Sequence, residues 1–191
     1  MPTDPAPPSG PQPIQPIAAV LAFLFPGAGH FYLGHRRRAY AIALGVLGLF
    51  AGGMLIGGVD VVDRKEDFVW FLGQSLVGPV AFGVDAYHQN VLKAYDPEKL
   101  DQGMLVKRSA RPDEARDIQT RQVPVRSNHT TKSVSLPVFR PAKPGESPPN
   151  SKSVGRVNEL GTLFCTIAGM LNLICIIDAL FRHRITPGDP R

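Results

Sequence analysis

Two aspartates sit where a carboxylate is costly. Asp85 lies in "FGVDAY" and Asp178 in "CIIDAL", each near the end of an apolar run. A carboxylate placed in hydrocarbon costs roughly 2.5–3.5 kcal/mol on insertion scales, so it normally faces a partner or water. With Gln74 and Asn172 as polar neighbours in the same two runs, the pattern fits a proton or cation path. It also fits two carboxylates close to the interface that neutralise basic groups or helix ends, and that plainer role is the favoured one.

His30 and His35 stand across a Gly-containing turn with no cysteine or third histidine beside them. A metal site needs three or four ligands, so no metal is expected, and His30 is expected to hydrogen-bond the turn backbone. Cys165 and Cys175 share one apolar run; on a helix they lie about 15 Å apart along the axis, too far to bridge. There is no Gly-x-Ser-x-Gly, phosphate loop or Ser/Cys–His grouping at useful spacing. The chain is therefore not expected to be an enzyme, and no cofactor is expected.

The elements that must position these residues are apolar and long. The 191 residues are 19% charged and carry a net charge of +5, an unremarkable average that hides segregation along the chain. Residues 39–58 hold no charge, whereas residues 88–156 hold 13 Lys and Arg. A soluble domain mixes such compositions at the period of a helix or strand instead of separating them into blocks. Four segments approach the roughly 20 apolar residues a crossing needs: 14–33, 39–58, 68–87 and 159–181. The first is interrupted by Pro26-Gly27, so it either crosses with a kink or re-enters. The expected fold is an all-α membrane protein of about four hydrophobic helices with a long, largely irregular cytoplasmic insert.

The domain boundaries follow from composition. Residues 1–13 form a Pro-rich flexible leader that does not look like a signal peptide. Residues 14–87 form a membrane hairpin and a third span, 88–156 a polar basic insert, 157–182 the last span, and 183–191 a tail. In the insert, "GMLVKR", "QVPVR" and "SLPVF" could be short strands, residues 112–122 a short helix and 140–153 a linker. No aromatics interleave the charges as a strand-stacking platform would require, so nucleic acid is disfavoured as a partner.

Small residues at Ala41, Gly45, Gly48 and Gly52 draw one stripe on the second span, and Gly53-x-x-x-Gly57 draws another on a neighbouring face. Such motifs let helix backbones approach closely in a bilayer. The expected partners are the lipid bilayer and, for the stripes, other helices of the chain, a second copy or another membrane protein. Nine flanking cations, among them Arg36, Arg37, Arg38 and Arg156, would share one side with the insert under four crossings. Arg64, Lys65, Arg182, Arg184 and Arg191 would lie on the other, which predicts an inner-membrane, multi-pass protein with a cytoplasmic insert.

The turn "FPGAGHFYLGHRRR" answers for the entry into the second span. Gly27, Gly29 and Gly34 permit a tight reversal, Phe31 and Tyr32 suit the headgroup zone, and Arg36–Arg38 reach lipid phosphates. In Gly27, Gly29, His30, Phe31, Tyr32, Leu33 and Gly34, followed by basic residues and an apolar helix, the chain resembles the two-transmembrane-helix (TM-two) domain family. Asp85 resembles the aspartate that the family places in a later apolar helix. The resemblance covers residues 17–87 and implies a small multi-pass membrane protein without assigned chemistry. The expected function is accordingly structural or accessory helix packing in the bilayer, with a small channel or transporter using Asp85 and Asp178 as the alternative.

Overall fold

The computed structural model describes residues 14–124, 131–146 and 156–185. The leader expected over 1–13 and the part of the expected linker from residue 147 onward lie outside the described residues. In chain order the elements are α1 (Pro16–Leu24), α2 (Ala28–Tyr32), α3 (Arg36–Gly57), α4 (Phe68–Gln74), α5 (Pro79–Tyr87), β1 (Ala94–Tyr95), α6 (Pro97–Asp101), β2 (Lys107–Arg108), β3 (Glu114–Pro124), β4 (Thr131–Pro141) and α7 (Arg156–Phe181). Short 3-10 turns follow α3 and α4, and a π-helical turn over His88–Leu92 follows α5.

Among the described residues two helices, α3 and α7, are long and apolar enough to cross a membrane. This corrects the expectation of an all-α, four-helix protein, and the reason is local. In the first segment Pro26-Gly27 stops the helix: Gly27 takes φ 87°, and a Cβ there would run into the Ala39 carbonyl. Pro26, just before it, has no N–H with which to continue the ladder to the Ala22 carbonyl. In the third segment Gly78 takes φ 99° and Pro79 starts a new helix at its first position. The interrupted segments fold as short helices of nine residues or fewer, far below a crossing length.

The insert is not irregular either. It holds a four-stranded mixed sheet in the order β2-β1-β4-β3. β3 and β4 form an antiparallel ladder from Glu114–Pro141 to Pro124–Thr131, and Tyr95 joins β1 to β4 in parallel at Val138. The helix expected over 112–122 is therefore strand β3. Ile118, Thr120 and Val123 favour the extended state, and the full-length ladder to β4 overrides the weak helix-start signal of Pro112. The patch "SLPVF" does lie in β4, where Val138 and Phe139 are buried.

α7 is the central helix, packed against α3, α1 and α4. It runs antiparallel to α3: Gly57 meets the Gly161 Cα, while Cys165 Sγ–H donates to the Phe50 carbonyl at 3.4 Å. A Cβ on Gly53 would lie 2.7 Å from the Gly161 carbonyl oxygen, so the two backbones touch along Gly53, Gly57 and Gly161. The core around this seam contains Val46, Phe50, Val61, Phe71, Cys165 and Ala168.

This arrangement regroups the charges. The start of α3 and the end of α7 share one end of the bundle, where Arg38 reaches Asp178 and the Ile185 N–H donates to the Leu33 carbonyl. Arg36–Arg38 therefore lie with Arg182 and Arg184, and opposite Arg64, Lys65, Arg156 and the sheet. The nine-to-five grouping expected from four crossings does not hold.

α1 and α4 approach each other along α7 from opposite ends. The Gln15 N–H donates to the Leu180 carbonyl at one extreme, and Gly73 lies against Thr166 and Gly169 at the other. Their C-terminal ends meet at Asn172, whose Nδ2 donates to the Ala22 carbonyl at 3.2 Å and the Leu76 carbonyl at 2.8 Å. At 1.5 Å per residue, α1 and the Phe68–Val77 segment, which adds the 3-10 turn to α4, together span about 29 Å.

Candidate functional site

The densest polar site lies at the sheet end of the bundle and is assembled from three stretches of chain, 60–66, 85–93 and the residue Ser109. The 3-10 turn after α3 presents Asp60, the loop behind it Asp63, Arg64 and Glu66, α5 presents Asp85, and the π-helical turn presents His88 and Gln89. Lys93 follows that turn, and Ser109 reaches in from the chain beyond β2. Asp60, Asp63, Asp85, His88, Gln89 and Lys93 are all buried. A π-turn is a frequent companion of functional sites, and here it keeps two successive polar side chains, His88 and Gln89, in the interior.

The contacts form one network. Lys93 Nζ donates to Asp63 Oδ2 and, at 2.6 Å, to Glu66 Oε1. Gln89 Nε2 donates to Asp63 Oδ1 at 2.6 Å, and Asp63 Oδ1 also accepts from the Lys65 N–H at 2.8 Å. Asp85 accepts from the Arg64 N–H at 3.1 Å and pairs with Arg64 Nε at 3.1 Å. His88 Nε2 lies 3.0 Å from Asp60 Oδ1, the oxygen that accepts from Ser109 Oγ at 2.5 Å.

Burial works against both ions of the Lys93–Asp63 pair, yet hydrogen bonding and opposite charge outweigh it. Asp63 is held below the usual carboxylate range, and Lys93 is raised above the usual lysine value. The pair is a fixed ion pair over the ordinary pH range.

Asp60, Asp63 and His88 could together offer ligand atoms to a cation, all within 4.8 Å of one another. The Lys93 ammonium already sits on Asp63 Oδ2, Asp63 Oδ1 accepts from Gln89, and Asp60 Oδ1 is shared by Ser109 and His88. Ser109 gives its proton to Asp60, while its oxygen is 3.4 Å from His88 Nε2. The hydroxyl is thus not aligned for activation by the histidine, as a nucleophile would require. Asp60 thereby ties Ser109, just beyond β2, to His88 at the end of α5.

The second charged site lies at the opposite end. His30 Nε2 is 2.6 Å from Asp178 Oδ2, and Arg182 clasps the same carboxylate through Nε at 2.9 Å and Nη2 at 2.7 Å. Arg38 adds a pair at 3.4 Å. The expected hydrogen bond from His30 to the turn backbone is replaced by this carboxylate, because the C-terminal helix passes over the turn. Asp85 and Asp178 are not brought together. Each is neutralised within the chain, and Asn172 and Gln74 lie buried between the two sites, Gln74 Nε2 donating to the Val61 carbonyl at 2.8 Å.

The remaining motif residues are distributed by face. Leu33 is buried, Gly29 packs against Ala18 of α1, and Gly34 takes a positive φ beside Ile185. Arg36 lies over the Phe31 ring at 5.7 Å and Arg184 over the Tyr32 ring at 4.9 Å. Ala41 is exposed, and Gly45, Gly48 and Gly52 have open space where a Cβ would stand. The backbone seam inside the chain uses the neighbouring Gly53–Gly57 face instead.

Asp60, Asp63, His88, Gln89, Lys93 and Ser109 escaped the sequence reading. One signal for part of the set was present: Asp85, His88, Gln89 and Lys93 share a helical face. No spacing links that face to Asp60, Asp63 or Ser109, which only the tertiary fold brings in.

A family model described as a family of unknown function (DUF6677) matches residues 17–189. No curated protein and no solved structure matches the chain significantly.

Proposed function

The chain belongs to the DUF6677 family, and from that premise we propose an integral membrane protein with a structural or accessory role. In this reading α3 and α7 cross the bilayer as an antiparallel pair. The α1–α2 and α4–α5 hairpins re-enter from opposite sides, and the sheet is held outside the hydrocarbon by the Asp60–Lys93 network. The observation that carries the reading is the exposure of the long helices: Leu44 is 79% exposed, Leu55 87% and Ile174 63%. A helix apolar all round is normally buried, in a large core or in lipid, and among the described residues no element covers those faces. The combined length of α1 and the Phe68–Val77 segment, near the roughly 30 Å of a hydrocarbon core, supports the paired re-entrant hairpins.

With two crossings, the cations immediately flanking the helices fall as Arg36, Arg37, Arg38, Arg182 and Arg184 at one end, against Arg64, Lys65 and Arg156 at the other. Long loops weigh little in this balance. The arginine end is therefore assigned to the cytoplasm and the sheet to the outer side of the inner membrane.

The test combines carbonate extraction with single-cysteine labelling of intact cells in a Cys165→Ser, Cys175→Ser background. Retention in the pellet is expected, with impermeant reagent reaching Lys65→Cys and Gln102→Cys but not Arg184→Cys. Release by carbonate, or labels at 65 and 102 on opposite sides, overturns the reading; label at 184 alone reverses only its orientation.

A second reading, a small channel or transporter, is favoured by the meeting of the two hairpin tips at Asn172. Interrupted helices ending near mid-bilayer are common where transporters bind solutes. Ion flux into proteoliposomes that falls in Asn172→Ala without loss of assembly would move the assignment to this reading. Equal flux in protein-free vesicles would exclude it.

A further inference from the structure

The arginine end of the bundle carries a feature that the scaffold role does not use. Between the α1–α2 hairpin and the first turns of α3 lies an open groove of about 620 Å³, within the range of ligand sites, roughly 300–1,000 Å³. Its walls include Phe25, Pro26, Phe31 and Tyr40, and small residues such as Gly27 and Ala43 keep its floor open. No side chain along this lining contributes a charge. Phe31 and Tyr40 stand edge to face at 6.1 Å on its exposed rim.

The charge beside the groove is one-sided. Among the described residues, Asp178 is the carboxylate of this end, and it is clasped by Arg182, His30 and Arg38. Arg36 lies over the Phe31 ring at the rim, and Arg37 is exposed with no ion pair among the described residues. One guanidinium thus stands at the rim of an apolar groove, and the exposed Arg37 follows it in the first turn of α3, the helix that lends Tyr40 and Ala43 to the groove. Guanidinium matches phosphate in geometry as well as charge.

We infer that this groove seats an anionic phospholipid, with acyl chain against Phe25, Phe31 and Ala43 and headgroup phosphate on Arg36 and Arg37. The inference rests on the membrane reading above, since it takes the occupant from the surrounding leaflet. A free phosphate would use the arginines but leave the groove unexplained, whereas a zwitterionic lipid would use the groove but not the surplus charge. Arg38 differs from its neighbours because Asp178 already holds it.

The full-length protein, purified in detergent and stripped of lipid, should be titrated with phosphatidylglycerol and with phosphatidylcholine of the same chains, reading bound lipid by native mass spectrometry. Phosphatidylglycerol is expected to bind roughly tenfold more tightly. Arg36→Gln with Arg37→Gln should abolish that preference, and Ala43→Phe should reduce occupancy by both lipids. Arg64→Gln with Lys65→Gln, at the opposite end, should change neither. If Ala43→Phe fails to elute as a folded species, the charge pair decides alone, since Arg36 and Arg37 are exposed.

Equal binding of the two lipids overturns the inference. So does a phosphatidylglycerol preference that survives in the double arginine variant, or inorganic phosphate competing fully with the lipid. Each of these leaves carbonate extraction and labelling unaffected, so failure of the groove is distinguishable from failure of membrane residence.

Discussion

His30 Nε2 and Asp178 Oδ2 lie 2.6 Å apart across 148 positions of sequence, so the turn after α1 and the end of the last helix are closed on each other. His30 is fully buried while the Asp178 side chain is 29% exposed, and the carboxylate gathers three cations or hydrogen-bond donors. Removing it leaves Arg182 and His30 facing each other without compensation. Asp178→Asn is therefore expected to destabilise by roughly 2–4 kcal/mol, within the cost of breaking a partly buried pair. Arg38→Gln, at 3.4 Å and half exposed, should cost under about 1 kcal/mol. Thermal unfolding in detergent measures both, and equal losses would mean that Asp178 acts through helix geometry rather than charge.

The Lys93–Asp63 pair sets a pH window. Asp63 is lowered in the fold, so its contribution is present above its unfolded value of about 4 and is lost as pH falls through the lower folded value. Lys93 is raised, so its contribution is full below about 10.4 and is lost as pH rises through the higher folded value. Lys93→Met should remove the alkaline loss attributable to this pair and leave Asp63 buried without its ammonium, lowering stability near neutral pH by roughly 3 kcal/mol. Unfolding midpoints between pH 3 and pH 11, wild type against Lys93→Met, check both limbs; an unchanged alkaline limb would show that other groups govern it.

Glycine positions on α3 separate internal packing from external contact. Gly53→Leu and Gly161→Leu push a side chain into facing backbone or the Cys165 thiol, and are expected to prevent α3 and α7 from pairing. Gly48→Leu meets open space and should leave the monomer's stability within about 0.5 kcal/mol. Cross-linking of the purified protein in detergent then shows whether the outward stripe of Gly45, Gly48 and Gly52 meets another helix: a loss of oligomer in Gly48→Leu with an intact fold would place the contact there.

These residues also show where sequence reading succeeds and where it stops. The long helices were legible because an uninterrupted apolar run of about 20 residues has few alternatives, and the observed bounds differ from the expected ones by three residues or fewer. The breaks at Pro26-Gly27 and Gly78-Pro79 were visible as residues, but hydropathy averaged across each segment reads through a two-residue interruption. The end of β3 falls in the expected strand "QVPVR", but residues 114–121 read as helix because their extended state comes from pairing with β4, a term that Pro112 and the acids behind it cannot report. In the sites, Asp85 and Asp178 stood out by their apolar surroundings. Asp60 and Asp63 did not, because charge in a loop is ordinary until Lys93 and Ser109 are folded onto it.

Asn172 offers the sharpest test of the central architecture. One amide group satisfies the Ala22 and Leu76 carbonyls, which belong to the ends of two helical segments running in opposite directions. Each carbonyl lies where its helix has no further N–H to offer, and both like-signed dipole ends point at the junction. Asn172→Leu has similar size but donates nothing, leaving two carbonyls without their shared partner. A loss of roughly 2–4 kcal/mol is expected from two unmet acceptors, larger than that of an apolar change of equal volume elsewhere on α7. The change should also appear locally, as faster hydrogen exchange at residues 25–28 and 77–80 while the α3–α7 seam keeps its protection. If exchange rises uniformly, or only at the seam, the two tips are held by the packing of Gly73, Gly78 and Gly169 rather than by Asn172, and the junction is steric in origin.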